Sequence, residues 1–481
     1  MKDQYEAELG QWISSERQAL ELLDTASKLQ FDKSIELVLF RRKLFNKTIS
    51  EIINDHAYAT KFTGIQISLE HTLALTKAIA ALDLAPSRID LGRLSKEYIE
   101  AGNSGAYDAF VADKLKDFIG KEKKVLKPRD VVLYGFGRIG RLAARILIEH
   151  AGTGQQLRLR AIVTRDKASD DLAKRASLLR KDSVHGKFAG VIEADPESNS
   201  VIINGHKVQM ITASSPSEID YTAYGIHDAI IIDNTGVWRD EKGLSEHLKA
   251  KGANMVILTA PGKGDLPNIV YGVNHAQYDG SKGGIFTAAS CTTNAIVPVI
   301  KVVRDAWGIE SGHIETVHAY TNDQNLLDNY HKKSRRGRGA PLNMVITETG
   351  AGKAVTKVFP DMKGMLTSNA VRVPVPNVSL AILNLKLKNK TTTAEVNAML
   401  KNASTYGDLV EQIDFSMSAE LVSSDVVGNP HACEIDSHAT IVSEDGKSVV
   451  IYAWYDNEYG YTSQVVRLTK HLAGVRRLIY Y

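Results

Sequence analysis

Two residues of this 481-residue chain have the types and the spacing for covalent chemistry. Cys291 lies in Ala288-Ala289-Ser290-Cys291-Thr292-Thr293-Asn294-Ala295, between an apolar, strand-like lead (284–288) and a helical pattern carried by Ile296, Val297, Val299, Ile300, Val302 and Val303. That pattern predicts a cysteine where a strand hands over to a helix. At a helix N-terminus the unpaired N–H groups and the dipole favour the thiolate, and the same groups can hold an oxyanion. His318 follows 27 positions later, a separation that allows a helix out and a strand back. A Cys–His pair is a general solution for an activated nucleophile with its acid/base partner. Taken singly, each residue has a blander reading. A free cysteine is usually a small buried apolar group, and a lone strand histidine is usually a satisfied structural one. The surrounding elements favour the chemical reading.

The first of these elements begins at Val131. Val131-Val132-Leu133-Tyr134 reads as a strand, Gly135-Phe136-Gly137-Arg138-Ile139-Gly140 follows directly, and 141–150 continues as an amphipathic helix. This is G-x-G-x-x-G between strand and helix. Gly135 makes the turn, Gly137 lets the backbone approach a pyrophosphate, and Gly140 permits close helix–strand packing. Residues 157–164 close the βαβ unit. After that strand an NAD site usually carries an acidic residue for the ribose 2′-hydroxyl, and here the chain reads Thr164-Arg165-Asp166. Arg165 favours a 2′-phosphate and so NADP, while Asp166 keeps NAD open. Further apolar strands end in Asn234-Thr235-Gly236 and in Thr259-Ala260-Pro261-Gly262, turns expected to line the nicotinamide half of such a site. In the second half, the run Lys332, Lys333, Arg335, Arg336 and Arg338 is a solvated face or an anion-holding loop. Thr349, Gly350 and Arg372 are donors suited to phosphate.

Composition sets the bounds. Hydrophobic residues at 43% and charged residues at 24% describe an ordinary globular chain. A net charge of +3 gives no case for nucleic acid or an anionic membrane. The only cysteines, Cys291 and Cys433, form neither a disulfide framework nor a metal-ligand array, which suits a reducing compartment. The first residues are charged and carry no apolar signal region, and no apolar run is long enough to span a bilayer. These features predict a soluble cytoplasmic protein without a metal. Residues 1–125 read as an all-helical extension: Leu20, Leu23, Ile35, Leu39, Leu44 and Ile52 recur at helical spacing, and 69–84, 87–101 and 107–119 look like further helices. This part is expected to be a helical cap, an oligomerisation arm or a docking module.

Five blocks carry a resemblance. They are 135–141, Ser290-Cys291-Thr292-Thr293-Asn294, Val317-His318-Ala319-Tyr320-Thr321-Asn322-Asp323-Gln324, 372–379 and Trp454-Tyr455-Asp456-Asn457-Glu458-Tyr459-Gly460-Tyr461. In this order, from about Pro128 onward, the chain resembles the phosphorylating glyceraldehyde-3-phosphate dehydrogenase family. The resemblance implies an α/β fold: a Rossmann-type NAD(P)-binding domain over 126–290 with a C-terminal helix at 462–481, and a catalytic domain over 291–461 with a mostly antiparallel sheet. It implies Cys291 as nucleophile activated by His318. Ser290, Thr292, Thr321, Thr349, Gly350 and Arg372 would bind the substrate's phosphate and inorganic phosphate. Gly135, Gly137, Arg138, Ile139, Gly140, Arg165, Thr259 and Asn457 would contact the dinucleotide. The implied partners are glyceraldehyde 3-phosphate, inorganic phosphate and further copies of the chain in a homotetramer. Erythrose 4-phosphate is a sister substrate, and a cofactor-sensing regulatory protein working through the extension is an alternative of another class.

Overall fold

The computed structural model describes residues 2–102, 105–165 and 171–481, with side chains from Gln4 onward. Asp166, one of the two residues weighed for cofactor choice, lies outside the described residues. The chain forms two compact units. One comprises Met1–Lys127, Ala151–Gln156 and Val475–Tyr481; the other comprises Pro128–His150 and Leu157–Gly474.

The first unit has helices Lys2–Lys33, Ile49–Thr63, Leu69–Ala81, Leu91–Glu100 and Tyr107–Lys114. Leu22, Leu29, Ile52, Leu75, Ile79 and Leu94 are among its buried core residues. Thr48 opens the second helix with a reciprocal capping box to Glu51, and Gly64, at φ 72°, closes it. The unit is not all-helical, however. Strands Arg42–Lys43, Glu36–Leu39, Ser87–Asp90 and Leu478–Tyr480 form a four-stranded sheet in that order. Short apolar runs such as 35–39 fit either period. What decides for a strand here is a chain reversal at Phe40 and Arg41, both with positive φ (44° and 67°). The buried Asp90 carboxylate holds that reversal, accepting from the backbone N–H of Phe40 at 2.8 Å and of Arg41 at 3.1 Å. It also caps the helix Leu91–Glu100 through the N–H groups of Gly92 and Arg93. The end of the chain differs from expectation in the same way. The last helix is Tyr459–Leu472, not 462–481. Gly474, at φ 68°, stops it, and Leu478–Tyr480 pairs in parallel with Ser87–Ile89.

In the second unit an eight-stranded sheet runs Gly284–Thr287, Ala253–Leu258, Ala229–Asp233, Arg129–Tyr134, Leu157–Thr164, His206–Thr212, Ser200–Ile203, Ile192–Asp195. The first six strands are parallel and the last two antiparallel. The chain-order reversal falls between Arg129–Tyr134 and Ala229–Asp233, the switch point at which doubly wound sheets bind ligands. A second sheet, mostly antiparallel, runs Val345–Thr347, Leu366–Val373, Ile309–Ala319, Ser379–Leu387, Ser448–Tyr455, Cys433–Asp436, Ile413–Ser416. The helix Cys291–Trp307 is buried on nearly all sides from Thr292 to Val303, which is why its sequence is apolar all round.

Because one carboxylate fastens both the Phe40–Arg41 reversal and a helix start, Asp90→Ala should destabilise the first unit by at least about 2 kcal/mol. Urea unfolding of the full chain measures this; an unchanged midpoint would remove Asp90 from that role.

Candidate active site

Ser290 is the N-cap of the Cys291–Trp307 helix. Its side chain accepts from the Thr293 N–H at 3.1 Å, so Cys291 is the first helical residue, as its sequence context predicts. The strand Ile309–Ala319 returns alongside and places His318 Nε2 3.7 Å from Cys291 Sγ. Arg372 comes from the neighbouring parallel strand, where it is the Cα partner of His318. Its Nη1 donates to the Ala319 carbonyl at 2.8 Å and lies 2.8 Å from His318 Nδ1. The same Nδ1 lies 2.7 Å from the Ala319 carbonyl; an Nδ1–H donated to that carbonyl leaves Nε2 as the unprotonated nitrogen facing the sulfur. Behind the pair, the buried Tyr455 hydroxyl joins Thr292 Oγ1 (3.0 Å) to Thr316 Oγ1 (2.8 Å) and fixes the first helical turn against the sheet.

The electrostatics differ from the expectation of a lowered thiol pKa. Burial raises the Cys291 pKa above its ordinary value, and the Arg372 charge and the N–H groups of Thr292 and Cys291 only partly pull it back. Burial, then Arg372, pushes His318 down to about 3. Both groups are therefore uncharged at neutral pH, a thiol beside an imidazole able to take its proton.

The pair opens onto a cleft of about 460 Å³ lined by Ser290, Thr292, Thr349, Gly350 and Arg372 as well. Five of the six residues expected to bind phosphate thus converge. Gly350 caps the helix Ala351–Val358, so that helix's first N–H groups face the same region. The sixth, Thr321, is not among the lining residues; its carbonyl instead closes a turn with the Gln324 N–H. Arg239, Lys333, Arg336 and Lys353 add cations to the walls. Arg336 is held by Asp323 and by Thr347 Oγ1. Arg336 and Lys333 belong to the basic run whose sequence left two readings open, and only the chain path distinguishes them.

The glycine turn has room for a dinucleotide. Gly135 has φ 97°, a Cβ on Gly140 would lie 2.3 Å from the Gly135 carbonyl, and a Cβ on Gly137 would meet nothing within 4 Å. The open side is therefore the one a pyrophosphate would approach, above the first N–H groups of the helix Arg138–Glu149. The Arg138 side chain is committed elsewhere, to Glu458 and Asp182, so Arg138 and Ile139 offer their backbone. Thr259 Oγ1 donates to the Asp233 carbonyl at 3.0 Å. Asn457 accepts from Ser379 Oγ at 2.9 Å, which orients its amide. Arg165 is exposed at the end of its strand.

A doubly wound sheet with this glycine turn, joined in one unit to a cysteine–histidine cleft walled by hydroxyl and cationic side chains, is the arrangement of a dinucleotide-dependent oxidoreductase. Comparison with known proteins gives the family. Residues 129–241 match the NAD binding domain of glyceraldehyde 3-phosphate dehydrogenase, and residues 290–457 match its C-terminal domain. The chain belongs to the glyceraldehyde 3-phosphate dehydrogenase family, whose members are NAD(P)-dependent oxidoreductases. A glyceraldehyde-3-phosphate dehydrogenase-like protein of Pseudomonas aeruginosa (strain UCBPP-PA14) is 50% identical over 457 residues, 94% of this chain and 98% of that protein. Glyceraldehyde-3-phosphate dehydrogenase 2 of Bacillus subtilis (strain 168) is 43% identical over 347 residues, 72% of this chain and 96% of its own length. The Nostoc protein of the same name is 40% identical over 344 residues, 71% and 98%. The first match is thus long enough to include most of the N-terminal unit.

The histidine makes a signed prediction. An unfolded histidine takes up a proton near pH 6.5, whereas folded His318 refuses it until about 3. Its contribution is therefore neutral above that range and destabilising as pH falls through it. His318→Asn should reduce the proton uptake on unfolding at pH 5 by about one, measured from stability between pH 5 and 7; an unaltered slope would contradict the depressed pKa.

Proposed function

We propose that the chain is a phosphorylating glyceraldehyde-3-phosphate dehydrogenase that works through a Cys291 thioester. The observation that carries this reading is the 3.7 Å approach of His318 Nε2 to Cys291 Sγ at a helix N-terminus, within a cleft walled by Thr349, Gly350 and Arg372. His318 takes the thiol proton, Cys291 attacks the aldehyde carbon, and the protonated His318 gives that proton to the former carbonyl oxygen, leaving a neutral hemithioacetal beside a neutral imidazole. The N–H groups of the first helical turn face the oxygen that gains charge. His318 takes the hydroxyl proton as the carbon is oxidised to the thioester. When bound, the nicotinamide dinucleotide supplies the hydride acceptor. Inorganic phosphate, held by Thr349 and the Gly350 end of its helix, then attacks the thioester and leaves as an acyl phosphate, returning the thiol.

Arg372 has two parts in this reading. It binds the substrate's phosphate, and it governs His318. Burial is the larger influence holding His318 down; a phosphate dianion neutralising the guanidinium removes the smaller one, so substrate recognition raises the basicity of the catalytic group. For the cofactor, Arg165 supports acceptance of a 2′-phosphate beside use of NAD. A reducing, cytoplasmic setting suits the two free cysteines. Assembly as a homotetramer is supported by the exposed Leu326, Leu327, Tyr330, Leu342 and Met344, which a monomer would leave in water.

Cys291→Ser should abolish phosphate-dependent reduction of NAD or NADP by glyceraldehyde 3-phosphate, and His318→Asn should slow it by about 10²–10⁴-fold. The assay is cofactor absorbance with each dinucleotide, with and without inorganic phosphate. Retained turnover by the serine variant sinks the thioester, and phosphate-independent turnover sinks the acyl-phosphate step. Light scattering in solution reads the oligomer: four chains per particle are expected, and a monomer refutes the assembly.

A further inference from the structure

Immediately before the nucleophile, the backbone takes a conformation that its residues do not favour. Ala289 has φ 55°, in the left-handed region, and is fully buried. A left-handed alanine relaxes when one of its two flanking peptide planes turns over. Both planes are held by side chains. Asn294 Nδ2 donates to the Ala288 carbonyl at 2.8 Å and so fixes the 288–289 plane. The Tyr461 hydroxyl donates to the Ala289 carbonyl at 2.9 Å and fixes the 289–290 plane. Asn294 also reaches the Ser290 carbonyl at 2.9 Å. A trans peptide carries its N–H opposite its C=O. Holding the Ser290 carbonyl on the interior side therefore turns the Cys291 N–H the other way, and the N–H groups of Cys291 and Thr292 both act on the sulfur. Both holding side chains are buried, Asn294 at 2% exposure and Tyr461 at 5%.

We propose that Tyr461 and Asn294 are positioning residues, which clamp a strained Ala289 turn and thereby aim the Cys291 amide at the reacting sulfur and oxygen. The inference rests on Cys291 being the nucleophile. The hydrogen bonds of both side chains go to backbone carbonyls of the turn, and it is through those peptide planes that they act. Loosening the Tyr461 clamp lets the 289–290 plane turn, which swings the following amides off the oxyanion and leaves the thiol less reactive. The fold, the substrate-binding side chains and the glycine turn are untouched.

The test uses the full chain and three variants: Tyr461→Phe, Ala289→Gly and the two combined. Glycine adopts φ 55° without strain, so it removes the force that drives the plane over. Tyr461→Phe should lower the single-turnover rate of cofactor reduction about tenfold or more. It should slow iodoacetamide alkylation of the thiol across pH 6–9, while the KM for glyceraldehyde 3-phosphate stays within about twofold; a lost oxyanion donor costs 10²–10³, and a loosened one costs less. The added Ala289→Gly change should restore most of both rates. Phenylalanine keeps the ring's packing, and Asn294→Ala gives an independent reading of the second clamp by the same two rates. Unchanged rates in Tyr461→Phe overturn the proposal, as does a loss that glycine at 289 fails to repair. An active Cys291→Ser variant would instead overturn the nucleophile assignment, so the two failures are told apart.

Discussion

The structure depends on where one proton rests between Cys291 and His318. In a buried pair each charged form is costly, because low-dielectric surroundings replace water around it. Burial raises the thiol and depresses the imidazole, so both move toward neutrality and the pair holds its proton on sulfur. Arg372 acts on the two in opposite senses. It favours the thiolate and disfavours the imidazolium, because one is an anion and the other a cation near the same guanidinium. The opposite effects of Arg372 balance when the proton passes from sulfur to nitrogen, so burial decides where it rests.

This balance requires four chain segments to meet within a few ångströms, and the sheet provides the meeting. His318 and Arg372 are register partners on parallel strands, and Tyr455 comes from the strand two places away. Register is what aims them, since a slip of one residue would turn each side chain to the opposite face. Sequence made part of this legible. Gly135, Gly137 and Gly140 in a strand–turn–helix setting mark the dinucleotide sheet, and the apolar helical run after Cys291 marks the helix start at which that cysteine sits. Their signals are local, carried by neighbouring residues. The pairing of His318 with Arg372 spans 54 residues and leaves no local mark. For the same reason the commitment of Arg138 to Glu458, 320 residues away, could not be read from the glycine motif, which suggests the arginine is free for a phosphate.

The N-terminal unit shows the converse limit. Its helices were legible because helical periodicity needs only a window of sequence. The Glu36–Leu39 strand was not, because a four-residue apolar run has no period to speak of, and its conformation is decided by a turn at Phe40 and Arg41. Nothing about phenylalanine or arginine announces positive φ; the buried Asp90, 50 positions on, supplies the acceptors that make it tolerable. The pairing of Leu478–Tyr480 with Ser87–Ile89 is further still from any local signal. The chain end reads as the continuation of a helix because the stop, Gly474, is followed by residues that suit a strand and a helix alike.

Ala289 brings these points together at the place where chemistry happens. Glycine would enter its left-handed conformation without strain, so it is the alanine at this position that makes the turn depend on its clamps. Alanine in that region costs about 1–2 kcal/mol, and the cost falls only on the turn as held. Once the Ala288 and Ala289 carbonyls are anchored, the Cβ closes off most other routes open to the backbone. The strain and the two side-chain clamps thus perform one task between them: the clamps choose the conformation, and the methyl group narrows what remains. The result is an oxyanion cradle set before any ligand arrives, in which the donors need not be gathered during the reaction. A preset cradle suits a thiol that begins protonated, because the N–H groups that will meet the new charge are already turned toward it when the proton leaves.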